Sequence, residues 1–288
     1  MKRSNLAARK IEEGIFKGLM YFSVAIVLGT LLLITGIIIA KGLPSLSIQM
    51  LTQTPKGGYY LGKEGGILNA IIGSIYLATG ATLLALIISL PVSLYINVYT
   101  RSNSKLAALV RFSMDILWGI PSIVYGAFGF IIMISLGLRA SLGAAIIAVS
   151  LFELPIMVRA MDEVLKMIPP ELAEASYSLG ATRTETAFRV IVRQAIPGLI
   201  TGVLMAFGRG IGDTASVLFT AGFTDRIPTS LSQPAATLPL AIFFQLGTPF
   251  PEVQGRAYAA ATVLTIMVLI ISLTARLIAH RYSKCITR

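Results

Sequence analysis

Long uncharged stretches dominate the hydrophobic pattern of this chain, and charged residues mark their ends. Lys17 and Lys41 enclose 23 uncharged residues. The apolar region of a signal peptide has only about 7–15 residues, so this stretch predicts a retained membrane helix over 19–40. Similar stretches predict the other spans: about 68–98, Asp115 to Arg139, Arg139 past Glu153 and Pro155, Arg193 to about 220, and Arg256 to Arg276. The pattern predicts an all-α membrane protein with six transmembrane helices.

Composition supports a membrane protein and argues against nucleic-acid binding. The chain has 288 residues, of which 55% are hydrophobic and 13% charged, against about 25% charged residues in soluble domains. Its net charge of +11 comes from Lys and Arg gathered between apolar stretches, as expected for loops at an anionic membrane surface. We therefore expect contact with membrane lipids and none with nucleic acid. The single cysteine, Cys285, excludes an internal disulfide and cysteine-based metal sites.

The distribution of positive charge predicts the orientation. Prolines interrupt the uncharged stretch 227–251, which disfavours a lipid-exposed helix there. With six spans, seventeen Lys and Arg fall on one side and six on the other, so both termini are expected in the cytoplasm and 221–256 is expected to be external or re-entrant. The predicted organisation follows: a cytoplasmic segment over 1–18, membrane helix 1 over 19–40, a core with five membrane helices over 64–278, and a cytoplasmic tail over 279–288.

Between predicted spans four and five, residues 159–193 carry the sequence signature of two helices. A proline pair, early acids and a closing glycine are typical of a short helix: Pro169-Pro170, Glu171, Glu174 and Gly180. Thr182 and Glu185 form a capping box that starts a second helix. Because so short a helix is marginal alone, we expect it to dock on something. A solvated connector is the alternative.

This loop also carries a family resemblance. Glu174-Ala175-Ser176, followed after three residues by Gly180, resembles the Glu-Ala-Ala…Gly signature of ABC importer permeases. The resemblance implies the ABC type I importer permease fold, with a coupling helix between membrane helices 4 and 5 that fits a groove on a cytoplasmic ATPase. It assigns that contact to Glu171, Glu174, Ala175, Ser176, Leu179 and Gly180. The chain itself would then be no enzyme and would bind no cofactor, since ATP and Mg belong to the partner.

Other motifs narrow the resemblance to one group of permeases. These motifs are Phe207–Ala215, Leu218–Ala221, Gly119–Gly126 and Glu64–Ile67. They resemble PstA-type phosphate-transport permeases of the prokaryotic cytoplasmic membrane. That family implies import of inorganic phosphate by a heterodimer with a PstC-like permease, served by a PstB-like ATPase dimer and a PstS-like phosphate-binding protein. It also implies that the external stretch around Leu238–Phe244 meets the binding protein.

Two charged residues inside the fifth predicted span suggest a substrate pathway. Placing Arg209 or Asp213 at the bilayer centre costs roughly 2.5–3.5 kcal/mol each. Their spacing of four puts them on one face of a helix, within reach of each other. We predict that Asp213 holds Arg209 when the pathway is empty and yields it to the passing anion. The alternative is a fixed ion pair that only ties helices together. Gly208, Gly210 and Gly212 either loosen this helix or allow close packing.

Several other functions stay open or are rejected. A permease for molybdate, tungstate or sulfate would use the same guanidinium chemistry. A self-sufficient secondary transporter would have internal repeats and would not need the structured loop, and a membrane scaffold would leave Arg209 and Asp213 unexplained. Gly57–Glu64 resembles a phosphate-binding loop, but Glu64 stands where a magnesium-binding hydroxyl is needed.

Overall fold

The computed structural model describes residues 2–56, 64–100 and 104–283, and most of them are helical. The helices are α1 (Lys2–Gly42), α2 (Ile48–Thr52), α3 (Leu68–Leu94), α4 (Lys105–Trp118), α5 (Ser122–Ser135), α6 (Leu142–Lys166), α7 (Pro170–Ser178), α8 (Arg183–Glu185), α9 (Val192–Ile211), α10 (Leu238–Leu246) and α11 (Pro251–Ser283). A 3₁₀ turn follows α1 (Leu43–Ser45), and π-helical turns extend α3 (Tyr95–Tyr99) and join α8 to α9 (Thr186–Ile191). Strands β1 (Pro55–Lys56) and β2 (Glu64–Gly65) pair antiparallel, with Pro55 opposite Gly65. Residues 57–63 of the rejected phosphate-loop match and Cys285 lie outside the described residues.

The long helices confirm the predicted fold class. In the described ranges, five continuous helical segments are long and apolar enough to cross a membrane: Arg9–Ser45, Leu68–Tyr99, Leu142–Lys166, Arg183–Ile211 and Pro251–Leu277. Helices α4 and α5 qualify as a sixth only when taken together, because each has 14 residues, and the chain bends by 97° between them. The third predicted span is therefore not one straight helix. It breaks at Gly119-Ile120-Pro121, where proline disfavours helical geometry in the residue before it.

Other boundaries also differ from the sequence-based expectation. Helix α1 begins well before residue 19, and α6 continues to Lys166, so 159–166 is helix rather than loop. The fifth span ends earlier than predicted, because α9 stops at Ile211 and turns occupy the residues up to about 221. Glycine at 208, 210 and 212 lowers helix propensity in this stretch. Asp213 is therefore outside the helix that carries Arg209.

Small residues let α6 and α9 cross closely. Gly202 lies against Ala160, and Gly198 lies against Val164. Gly210 lies against Val149 and Glu153 further along the same crossing. In the absence of a hydrophobic driving force between membrane helices, such close approach supplies van der Waals contact. The two helices therefore run antiparallel to each other.

The helices share a consistent direction across the bundle. Thr262 of α11 donates to the carbonyl of Ile38 near the end of α1, and Gly42 of α1 lies against Tyr258. The two helices are therefore antiparallel. Ala259 and Ala260 of α11 pack with Ala70 near the start of α3, and the other end of α3 packs with α7, so the start of α1 and the end of α11 point to the same side as α7. We call this the α7 side of the bundle. An even number of crossings, as predicted from the charge count, agrees with this arrangement.

The proline-rich stretch folds back into the bundle. Leu238–Ala241 of α10 are buried against α3 and α11. The Ser74 hydroxyl accepts a 2.8 Å hydrogen bond from the Leu238 amide, and Asn69 donates to the Thr224 carbonyl over 2.7 Å. The expectation that Leu238–Phe244 meets a binding protein is therefore wrong for its buried residues, which this chain itself covers.

Gly73 of α3 makes this close approach possible, since a Cβ there would overlap the backbone carbonyl of Ala236. We expect Gly73→Ala to destabilise the protein by about 1–3 kcal/mol, because backbone cannot move aside as a side chain can. The readout is the temperature at which the detergent-solubilised protein loses its monodisperse peak. Gly29→Ala is the matched control, because nothing lies within 4 Å of its added Cβ. Equal melting temperatures of the two variants would contradict the prediction.

Candidate functional site

Arg209 lies halfway along the bundle on an uncovered face. Its guanidinium carbon Cζ is 5.0 Å from the centroid of the Phe152 ring. Phe152 lies ten residues, about 15 Å, after the start of α6 at Leu142 and about 21 Å before its end at Lys166. Arg209 is exposed, and Met205 and Thr201 are exposed one and two turns earlier. These three residues, at a spacing of four, form one face of α9 that no described element covers.

Asp213 does not pair with Arg209 in this conformation. Its Oδ2 accepts a 3.0 Å hydrogen bond from the Ser216 amide and a second hydrogen bond from the Ser216 hydroxyl. None of the ion pairs among the described residues joins Asp213 to Arg209. The prediction that both lie on one helix face is wrong, because α9 ends at Ile211 and the chain turns. Their role in a substrate pathway stays a prediction.

The glycines around Arg209 favour the packing interpretation over the loosening one. The chain is helical through Ile211, and a Cβ on Gly210 would overlap Glu153 Oε1. The end of α9 that reaches this site is its C-terminus, which presents carbonyl oxygens rather than N–H groups. An anion here would therefore be held by the Arg209 side chain and not by backbone amides of α9.

Sequence reasoning missed Glu153, which is the nearest carboxyl to this helix crossing. Glu153 is 0% exposed, and neither carboxyl oxygen has a hydrogen-bond partner in the structure. Its neighbour Phe152 packs edge-on against Tyr125, with ring centroids 5.9 Å apart. The available signal was a carboxyl in the middle of an apolar stretch. We treated Glu153 only as a boundary of that stretch.

The short helix α7 confirms the predicted start and end of the coupling segment. Pro169 caps its start and Pro170 is its first residue, and Gly180 follows with a φ of +81°, a left-handed conformation that favours glycine. Thr182 and Glu185 form the predicted capping box, with the Glu185 amide 3.3 Å from the Thr182 hydroxyl and the Thr182 amide 3.0 Å from the Glu185 carboxylate. The helix that starts there runs through Pro197 into α9.

The residues assigned to ATPase coupling share one surface, with a single inward exception. Ala173 of α7 packs against the core cluster formed by α3, α6 and α9, and Ser176 shares a 2.9 Å hydrogen bond with the buried Thr186. The outward residues are Glu171, Glu174, Ala175, Leu179 and Gly180. Leu179 is 89% exposed, which is unusual for a large apolar side chain beside a helix end.

A buried ion network, also missed from the sequence, lies on the α7 side. Asp162 of α6 is 1% exposed and is bound by three side chains: Arg111 of α4, through Nε and Nη2 at 3.0 Å each, Lys166 Nζ at 2.6 Å and Asn97 Nδ2 at 2.9 Å. Arg159 also bridges to Asp115 of α4 at 3.5 Å. The network joins α4, α6 and the end of α3 immediately before the chain enters α7. Nothing in the local sequence around Asp162 indicates its partners, which come from distant helices.

No metal-binding cluster is found in the part of the chain that the structure describes. There, no three side chains of His, Cys, Asp or Glu gather closely enough to hold an ion. Among the described residues, the charged groups inside the bundle include the mid-bundle Arg209 with its aromatic neighbour, Glu153, and the ion network around Asp162.

Known proteins resemble this chain along most of its length. Residues 89–284 match the family described as binding-protein-dependent transport system inner membrane component. The phosphate transport system permease protein PstA of Haemophilus influenzae is 36% identical over 93% of this chain and 94% of that protein. The protein of the same name from Pasteurella multocida is 33% identical over 99% of this chain and all of that protein. A probable ABC transporter permease protein, YqgI of Bacillus subtilis, is 30% identical over 93% and 95%.

Solved structures share the fold at low sequence identity. An inward-facing MetNI methionine ABC transporter superposes with a TM-score of 0.63 at 22% identity, covering 77% of this chain and 96% of that one. A bacterial alginate ABC transporter, solved with an alginate-bound periplasmic protein, gives 0.65 at 15% identity, covering 96% and 98%. The chain therefore belongs to the binding-protein-dependent inner membrane permease family of ABC importers, together with the relatives named PstA.

Proposed function

We propose that this chain is a membrane subunit of an ATP-driven importer of inorganic phosphate and that Arg209 binds the anion on its path. The supporting observation is an exposed guanidinium halfway along the bundle. Inserting an arginine that faces hydrocarbon at the bilayer centre costs a free energy of roughly 2.5–3.5 kcal/mol on insertion scales. The face of α9 formed by Thr201, Met205 and Arg209 would instead line a polar passage closed by a second, PstC-like permease.

Guanidinium chemistry suits an oxyanion such as phosphate. A planar fork of N–H groups can donate two parallel hydrogen bonds to two oxygens of one anion. The Phe152 ring beneath the guanidinium stabilises its charge and restricts its orientation without competing for those donors. Asp213, held by Ser216, leaves the guanidinium free for a ligand. We propose phosphate as the substrate, rather than another oxyanion, because the relatives that match nearly the whole chain are named phosphate permeases.

The exposed surface of α7 would receive the nucleotide-driven motion. A cleft of about 320 Å³ beside it is lined by Leu179, Glu185 and Arg189, among others, and a PstB-like ATPase dimer would dock there. The α7 side would then be cytoplasmic, with both chain ends, in agreement with the positive charge count. The opposite side, with the loop 222–237, would face a PstS-like binding protein. ATP and Mg would be bound by the ATPase alone.

Leu179→Asp is expected to weaken ATPase docking strongly. A large apolar side chain with 89% exposure on the folded chain contributes little to its stability, but as an interface anchor its loss costs about 2 kcal/mol, roughly thirtyfold in affinity. The measurement is the amount of ATPase that co-purifies with the tagged permease. Leu179→Met, which keeps the apolar surface, is the matched control. Undiminished co-purification of the aspartate variant would show that α7 does not dock through Leu179.

Reconstitution tests the whole proposal. The complex of this chain with its second permease, ATPase and binding protein is placed in proteoliposomes, with ATP on the ATPase side. We expect uptake of radiolabelled phosphate and ATP hydrolysis stimulated by phosphate-loaded binding protein. Sulfate and molybdate are the comparison anions. Stimulation by one of these anions and not by phosphate would overturn the substrate, and uptake without ATP would overturn the mechanism.

A further inference from the structure

Two charged side chains meet at one helix crossing, and neither has a counter-ion. Within the described ranges, Glu153 of α6 forms no hydrogen bond through either oxygen and Arg209 of α9 forms no ion pair. They are nevertheless neighbours across the crossing. Arg209 lies on Phe152, while the next residue of α9, Gly210, lies on Glu153. The acid and the base are thus displaced by one residue from direct contact.

An unpartnered carboxyl in this position is costly. Glu153 is fully buried at a helix crossing halfway along the bundle, and a hydrophobic side chain of similar volume would pack there without the loss of hydration. Only Gly210, which has no side chain, leaves room for the carboxyl against α9. Two elements, α6 and α9, are therefore shaped around an acid that has no counter-ion in this conformation.

We infer that Glu153 is the counter-ion of Arg209 in a second conformation of the transport cycle. The inference rests on the proposed function, since it requires an anion that Arg209 binds and releases. One residue of an α-helix corresponds to about 100° of rotation. A rotation of up to that size at the end of α9 would bring the Arg209 guanidinium in front of Glu153. It requires a small separation of α9 from α6, since even a Cβ at the position of Gly210 would overlap Glu153 Oε1. Few side chains oppose it, because positions 208, 210 and 212 are glycines.

The pairing gives the site two states with opposite affinity for an anion. In the present conformation the guanidinium is exposed on the pathway face and can bind an oxyanion. When it pairs with Glu153 it loses its free donors, and the bound anion is released. Asp213 and the Thr82 hydroxyl are the other polar groups close to Glu153. Asp213 already accepts two hydrogen bonds from Ser216, so it does not replace Glu153 as the partner.

Transport kinetics of Glu153→Gln test the role of the charge. Glutamine keeps the shape of the side chain but cannot neutralise Arg209, so the anion leaves more slowly. We expect the maximal uptake rate and the KM for phosphate-loaded binding protein both to fall, the rate by about tenfold. Glu163→Gln is the matched control, because Glu163 is an exposed carboxylate on the same helix. A lower rate with unchanged KM, or wild-type kinetics, would overturn the inference.

Cross-linking tests the rotation independently of uptake. Cys285→Ser removes the single native cysteine, and Glu153→Cys with Arg209→Cys then introduces one pair. We expect oxidant-induced cross-linking to rise at least about fivefold when the complex is trapped with vanadate and ADP. Gly208→Cys with Glu153→Cys is the control pair. Equal cross-linking in both states, or none in either, would overturn the rotation. Failure of phosphate to stimulate the wild-type complex would overturn the proposed function instead, whatever the cross-linking shows.

Discussion

Replacing Arg209 by glutamine is expected to lower phosphate uptake by about a hundredfold. In a water-poor passage, loss of one preorganised donor to a developing or transferred negative charge typically costs two to three powers of ten. Glutamine keeps part of the length and one N–H group but lacks the charge that offsets the desolvation of phosphate. The protein should still assemble, because Arg209 is exposed and forms no ion pair with the described residues. Uptake of labelled phosphate into cells or proteoliposomes measures the effect.

Two further variants separate charge from geometry in the Arg209 test. Arg209→Lys keeps the charge but loses the planar fork, so its uptake should lie between those of the wild type and the glutamine variant. Arg193→Gln removes an exposed arginine from the same helix near the α7 side and should leave uptake within about twofold of wild type. Normal uptake by Arg209→Gln at normal protein levels would mean that the anion takes a path away from α9.

Local signals explain what could be predicted from the sequence. The coupling segment was predicted with its start, its end and its capping box because each feature depends on neighbours within four residues, as in Thr182 with Glu185. Membrane helices were found for a similar reason, since a run of apolar residues needs no partner to be recognised. The boundaries drawn from charges were less accurate. The predicted loop begins at Arg159, but in the structure α6 continues to Lys166.

Tertiary packing explains what could not be predicted. Asp213 was paired with Arg209 on the assumption that the helix continued, whereas it ends at Ile211 and Asp213 binds Ser216. The buried position of α10 depends on Gly73 and Ser74 of a helix more than 160 residues away. The role of Glu153 cannot be predicted from the sequence alone, because it depends on Gly210 and Arg209, which lie on another helix.

Asp162→Ala is expected to destabilise the permease by about 3 kcal/mol. Removing one partner of a buried ion pair leaves the other charges without compensation, which typically costs 3–5 kcal/mol. The lower end of this range applies here because the side chains of Arg111 and Lys166 are 23% and 37% exposed. The α4–α6 contact should loosen first, since Arg111 of α4 and Asn97 after α3 both bind this carboxylate. The measurement is the temperature at which half of the detergent-solubilised protein is lost from its monodisperse peak.

The ion network also predicts how stability could be restored. Arg111→Met combined with Asp162→Leu replaces the main pair by apolar groups of similar size and should recover much of the lost stability, because Arg111 is no longer left unpaired and Lys166 keeps Glu163 as a partner at 3.2 Å. Glu163→Gln removes an exposed acid next to Asp162 and serves as the control, with an expected change within about 0.5 kcal/mol. If Asp162→Ala and the control had the same melting temperature, the network would contribute nothing to holding α4 on α6. If the single variant is destabilised and the double variant is not, the carboxylate is needed only because Arg111 is there. The position of α4 on α6 would then be fixed by one charge pair close to the point where α6 ends before α7.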